Sequence, residues 1–186
     1  MTLIKPSTGR AITAFCILFL TESCSPTLRW IPDPLPQPSC EPDRLLQWSD
    51  FVPRSETDAR AAETTIRIIM DQRSHTLRVV FDRIHSWVKP ELANPNNSRQ
   101  RRMSEQLLTH EQLHYIISCL VVRQANLSIN EQDNPETLLE STRQEAQRLN
   151  YQYDLDTHHG THFPKQELWR NDIMQKFAEL GTQRGE

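Results

Sequence analysis

Glycine is scarce in this 186-residue chain: four residues, Gly9, Gly160, Gly181 and Gly185. Neither G-x-G-x-x-G nor G-x-x-x-x-G-K occurs, which excludes the glycine-rich loops that cradle nucleotide phosphates. An excess of basic charge is also missing. The 21 Lys and Arg are outnumbered by 24 Asp and Glu, for a formal net charge of -3, which argues against a general nucleic-acid binder. Long apolar runs are reduced to one, Ala11 to Leu20, so a polytopic membrane protein is excluded. The length suits one domain of ordinary size with an appended segment. With Gly9 near the start and two glycines in the tail, Gly160 is the single glycine in the body of the chain.

The appended segment is N-terminal. Lys5 and Arg10 precede the apolar run, and a run of this length is that of an export signal rather than a membrane span. Ser23 directly before Cys24 resembles the lipobox of bacterial lipoproteins, with Thr21 and Glu22 off its pattern. A lipid anchor on Cys24, an ordinary cleaved signal and an uncleaved anchor all remain open, and each places the rest outside the cytoplasm. Residues 24–44 hold Pro26, Pro32, Pro34, Pro36, Pro38 and Pro42, a spacing that reads as an extended linker. In an exported chain Cys40 and Cys119 are candidates for a disulfide, or Cys119 is a small buried hydrophobe. The expected organisation is a signal over 1–23, a linker over 24–44 and a domain over 45–186.

Within that domain Trp48-Ser49-Asp50-Phe51 reads as an amphipathic opening turn. The β-rich segments Thr64–Met70 and Thr76–Phe81 flank a polar turn and read as an antiparallel pair, with Ile84–Val88 as an extension of the second. Residues 90–98 read as a loop. Leu107, Leu108, Leu113, Ile116, Ile117, Leu120 and Val121 recur at helical spacing, which predicts a long helix from Ser104 to about Gln124. Further helices are expected over Pro135–Asn150 and Pro164–Leu180, the latter with proline in its first turn.

His110-Glu111-Gln112-Leu113-His114 is an H-E-x-x-H sequence inside the predicted long helix. A spacing of four puts both imidazoles on one face, one turn apart, so their nitrogens can occupy adjacent corners of a zinc tetrahedron. The glutamate between them is the general base of such sites, acting on a zinc-activated water. Catalytic zinc needs a third protein ligand and an open position. The cluster His158-His159-Gly160-Thr161-His162 supplies candidates, and Gly160 suits a turn that delivers a histidine to a metal or a helix stop. Tyr153 is a candidate catalytic residue that stabilises an oxyanion, or a core tyrosine. Asp154 and Asp156 are candidate acceptors for ligand N–H groups, or turn-capping residues. Trp48, Trp87 and Trp169 read as packing residues. Arg99, Arg101 and Arg102 read as a solvated basic loop.

These residues together carry a resemblance. Trp48-Ser49-Asp50-Phe51, Ser86-Trp87-Val88, Leu108 to His114 and Tyr153-Asp154-x-Asp156-Thr157-x-His159-Gly160, followed by Gln166 and Trp169, look like a family of bacterial exported proteins, catalogued as a domain of unknown function and described as predicted secreted Zn-dependent proteases. The resemblance covers about residues 45–175. It implies an α+β, zincin-like fold, with a small antiparallel or mixed sheet packed on the active-site helix and further C-terminal helices. It selects His159 as the third metal ligand beside His110 and His114, and implies Zn2+ as cofactor. Thr76–Phe81, continued by Ser86-Trp87-Val88, is the implied edge along which a peptide substrate lies. Two positions depart from the family: Leu113 stands where glycine is common, and Ile116 where an acidic residue is common. Asp154, Asp156 or Asp50 is the expected substitute for that lost carboxylate.

The functional expectation is a zinc metallopeptidase of the bacterial cell envelope or periplasm, with a peptide or protein substrate, possible attachment to the membrane through Cys24 and no nucleic-acid partner. A non-catalytic envelope lipoprotein and a zinc amidase acting on cell-wall peptide are the competing readings.

Overall fold

The computed structural model describes residues 40, 45–55, 60–130 and 134–182. The expected signal peptide, the lipidation site at Cys24 and nearly all of the proline-rich linker lie outside the described residues. The domain is α+β. It holds strands β1 (Val52–Pro53), β2 (Ala62–Glu63), β3 (Ile66–Asp71), β4 (Thr76–Phe81) and β5 (Trp87–Val88) and helices α1 (Pro90–Ala93), α2 (Ser98–Leu127), α3 (Pro135–Thr157) and α4 (Phe163–Thr182). No helix among the described residues is long and apolar enough to cross a membrane.

β3 and β4 form the expected antiparallel hairpin, in register from Ile66 opposite Phe81 to Asp71 opposite Thr76. Its turn is closed by Asp71, whose Oδ1 accepts from the Arg73 and Ser74 N–H groups, and by His75 at a positive φ of 52°. The expected extension of β4 through Ile84–Val88 does not form. Asp82 Oδ1 accepts from the N–H groups of Ile84 and His85, and this local bonding turns the chain out of the ladder. Trp87 and Val88 instead become the centre of a second small sheet, parallel to β1 and antiparallel to β2.

The opening turn is a short 3₁₀ helix over Trp48–Asp50. Its Trp48 Nε1–H donates to Ser104 Oγ, which donates in turn to the Leu92 carbonyl. One buried hydroxyl thus ties the opening turn and α1, a helix where a loop was expected, to α2.

α2 is the spine of the domain. Its 30 residues span about 45 Å. Asn97 caps the start by accepting from the Gln100 N–H, six residues before the expected boundary, so Arg99, Arg101 and Arg102 occupy an exposed first turn rather than a loop. Leu113, Ile116, Ile117 and Leu120 are buried in one cluster with Phe51, Phe81, Val88 and Tyr153. Cys119, on the same buried stretch, forms a disulfide with Cys40. α3 packs along α2, and α4 covers both.

The two edges of the hairpin are treated differently. Asp82 N donates to Thr65 O, so the ladder alternation turns the N–H and C=O groups of Ile66, Ile68, Leu77 and Val79 outward. On β4 that edge is closed, because the Asn126 carboxamide of α2 accepts from Leu77 N and donates to Leu77 O. The strand implied as the peptide-docking edge is therefore already paired at Leu77 and packed against α2. The outward edge of β3 borders a cleft instead.

Candidate metal centre

α2 brings His110 and Glu111 to the floor of this cleft, where they are 3% and 4% exposed. His114 follows one turn later. The cleft has a volume of about 1330 Å³ and is walled by the β2–β3 segment on one side and by α3 with residues 159–163 on the other.

The third converging group comes from α3. That helix was expected to stop at Asn150 but runs to Thr157, so Tyr153, Asp154 and Asp156 lie on a rigid helix rather than in a polar loop. His110 Nε2 and His114 Nε2 are 3.1 Å apart, and each lies 3.1 Å from Asp154 Oδ1. Tetrahedral bonds of about 2.0–2.1 Å set ligand atoms about 3.3 Å apart, so three equal separations of 3.1 Å suit a single small cation. These three residues form a group that could hold a metal ion. Two imidazoles with one carboxylate is a donor set found in catalytic zinc sites, although the donors alone do not single out zinc.

Electrostatics reinforce the convergence. Burial pushes the Asp154 carboxyl up, but hydrogen bonds from His110 and His114 more than reverse this and hold it far below the carboxylate range. For His114 burial acts downward, and the Asp154 hydrogen bond with the Glu111 and Asp154 charges raises its affinity for a proton. For His110 burial prevails, and its proton affinity is lowered.

Asn150, which the sequence reading did not single out, orients His114. Its Oδ1 lies 2.8 Å from His114 Nδ1, while its Nδ2 donates to Ser118 Oγ and the Ala146 carbonyl. The carbonyl oxygen can only accept, so Nδ1 carries a proton directed at Asn150, and Nε2, which here bonds Asp154, is the nitrogen a cation would take in exchange for its proton. Asn150 stands four residues before Asp154, on the same helix face. That signal was open to the sequence only if the helix was read past Asn150.

His159 stands at the rim. It is 69% exposed, and its Nδ1 lies 3.5 Å from Asp154 Oδ1, beside the converging group but not part of it. His158 and His162 pack edge to face against each other, and His162 Nδ1 accepts from the Lys165 N–H at the start of α4. Neither joins the site.

Gly160 acts on a different histidine from the one expected. It has φ +78°, and a Cβ placed there would stand 2.7 Å from His110 Cγ and 2.9 Å from His110 Cβ. The glycine is needed so that the chain can pass over the back of the His110 ring. His158 and His159 precede it at φ 48° and 51°, so three successive residues are left-handed. The turn is held by Thr157, whose hydroxyl donates to Tyr153 O and accepts from Gly160 N.

Tyr153 is fully buried. Its ring stacks on His110 at 4.7 Å and meets His114 and Trp169 edge-on. Burial raises its phenol far above the usual range, with Glu111 and Asp154 adding to the effect. Its neighbour Tyr151, not Tyr153, lines the cleft, so Tyr153 is a wall behind the histidines and not a donor toward an oxyanion in the cleft. Of the carboxylates expected to replace the one lost at Ile116, Asp154 reaches the histidines. Asp156 accepts from Trp169 Nε1 and Gln152, and Asp50 pairs with Arg83. Ile116 itself is core.

Comparison of the chain with protein-family models, with curated proteins and with solved structures gives no match.

Proposed function

We propose that this protein is a zinc-dependent peptidase of the bacterial cell envelope with a zincin-like fold. The observation that carries this reading is the triangle of His110 Nε2, His114 Nε2 and Asp154 Oδ1, 3.1 Å on each side, lying beside a buried glutamate in a cleft bordered by an open strand edge. Zinc bound there supplies a Lewis acid that polarises a peptide carbonyl and acidifies water.

The chain's own residues do the rest. Glu111 has a buried Oε2 without a hydrogen-bond partner among the described residues, and it lines the cleft beside both histidines. It accepts the proton of the attacking water and returns it to the leaving amine. Asn150 orients His114 by accepting from Nδ1, so that Nε2 is the nitrogen turned to the metal. The outward groups of β3 offer hydrogen bonds to the backbone of an extended peptide, a mode of binding that depends little on side-chain identity. The disulfide supports an exported location, since such bonds persist in oxidising compartments.

Metal analysis of the purified protein and cleavage of a peptide library test the reading. The native chain is expected to hold one equivalent of zinc and to cleave peptides. Glu111→Gln is expected to keep the zinc and lose at least 100-fold in kcat. Cleavage that persists unchanged in this variant defeats the mechanism, and absence of cleavage in the native chain favours a binding protein. Asp154→Ala is expected to cost more zinc affinity than His159→Ala, as measured by competition with a chelator. The reverse order would restore His159 as the third ligand.

A further inference from the structure

Three arginines line the cleft: Arg60, Arg67 and Arg143. Arg60 pairs with Glu63 at 3.0 Å and Arg67 with Asp82 at 3.3 Å. Arg143 forms no ion pair among the described residues. Its Nε and Nη2 donate to the Ile68 carbonyl, at 3.1 and 2.9 Å. A neutral acceptor cancels none of its positive charge, and three of the five guanidinium N–H groups are not used by this contact.

The position of this contact matters as much as its charge. Ile68 O is one of the outward groups of the open β3 edge, so an added strand finds acceptors near Ile66 but not at Ile68. Arg143 therefore ends the open edge. Its distance from the metal centre follows from α3, because Arg143 and Asp154 are eleven residues apart on one helix. That separation is about 16 Å, the length of roughly five residues of extended peptide.

Direction follows from β3. The strand begins near the metal centre, where the Thr64 hydroxyl donates to the Glu111 carbonyl, and runs toward Arg143. Antiparallel pairing is the more stable form, so a docked peptide runs the opposite way. Its residues at Arg143 then lie on the N-terminal side of the bond over the metal centre. A free amino terminus there meets a like charge, whereas a carboxylate meets the paired N–H geometry that arginine offers.

We propose that Arg143 closes the open edge of β3 and selects peptides that carry an acidic side chain about five residues before the bond placed over the metal centre. This proposal rests on the reading of the cleft as a peptidase site, and it assigns specificity rather than chemistry to Arg143.

The test separates the two. Labelled peptides bearing either Glu or Gln at that position, each made with a free or an amidated C-terminus, are titrated onto zinc-loaded Glu111→Gln protein by fluorescence anisotropy. The Glu peptide is expected to bind about tenfold more tightly than the Gln peptide, whichever C-terminus it has. The difference should shrink as ionic strength rises, fall in Arg143→Lys and vanish in Arg143→Gln. Melting curves of both variants confirm that they are folded. Equal affinities for Glu and Gln peptides overturn the proposal, as does a preference that survives Arg143→Gln or follows the free C-terminus. Discrimination by Arg143 without cleavage by the native chain upholds the specificity site and removes the peptidase reading. Failure to bind any of the peptides overturns both.

Discussion

Gly160 and Asn150 show how two residues outside the candidate metal-ligating group fix its geometry. A methyl group at Gly160 cannot coexist with the His110 ring as it stands, since the nearest atom would be 2.7 Å away, and the left-handed backbone adds about 1–2 kcal/mol. Gly160→Ala is expected to lower zinc affinity at least tenfold and to reduce Tm by several degrees, read by chelator competition and calorimetry. Unchanged affinity would leave Gly160 as a helix terminator and nothing more. Asn150→Ala removes the acceptor that orients His114, and loss of such a partner costs about 10–100-fold in metal affinity. The two positions differ in how far the sequence exposes them. A lone glycine beside a histidine cluster is conspicuous, but its contact with His110, fifty residues earlier, is a tertiary fact. An asparagine at the expected end of a polar helix carries no signal of its own.

At the scale of elements, the hairpin depends on side chains that stand in for missing strands. Asn126 completes the β4 edge, so Asn126→Ala strands the N–H and C=O of the buried Leu77. The expected loss is about 2 kcal/mol, measured by denaturant unfolding. Asp82 plays the matching part at the far end of β4. Burial pushes its carboxyl up, but the His85 hydrogen bonds and the Arg67 charge bring it below its ordinary value of 3.8. A folded-state value below the unfolded one gives stability that is present above pH 4 and lost as pH falls through the folded value. Asp82→Asn is therefore expected to flatten the acid limb of the stability profile below about pH 4. The β-rich composition of Thr64–Met70 and Thr76–Phe81 on either side of a polar turn was enough to predict the hairpin. Its closed and open edges were hidden, because Asn126 and Arg143 meet the strands only through packing of α2 and α3. The end of α3 was hidden for another reason: Tyr153 to Thr157 has no apolar stripe and is helical because Tyr153 and Thr157 bury themselves against α2 and the site.

Across the whole molecule, the candidate metal centre sits between two long helices beside a short hairpin, and one covalent bond links Cys40 to the middle of the chain. The Cys40–Cys119 disulfide spans 79 positions. Closing a loop of that size stabilises by up to about 4.5 kcal/mol in the chain-entropy picture, with about 2–4 kcal/mol the usual yield. Reduction, or replacement of both cysteines by serine, is expected to lower Tm clearly, as followed by circular dichroism with and without reductant. The sequence offered both cysteines as a pair without showing that they meet, since a bond over so many positions is decided by the fold.

That bond also sets a path for force. Tension arriving along the chain at Cys40 does not travel only through the short strands β1 and β2. It also passes through sulfur to Cys119, on the buried face of α2 five residues beyond His114. A domain held by its N-terminal side is thus gripped at its spine. The hairpin that borders the cleft packs against that same helix, so a load brought to Cys40 would reach α2 through the sulfur bridge as well as through the strands.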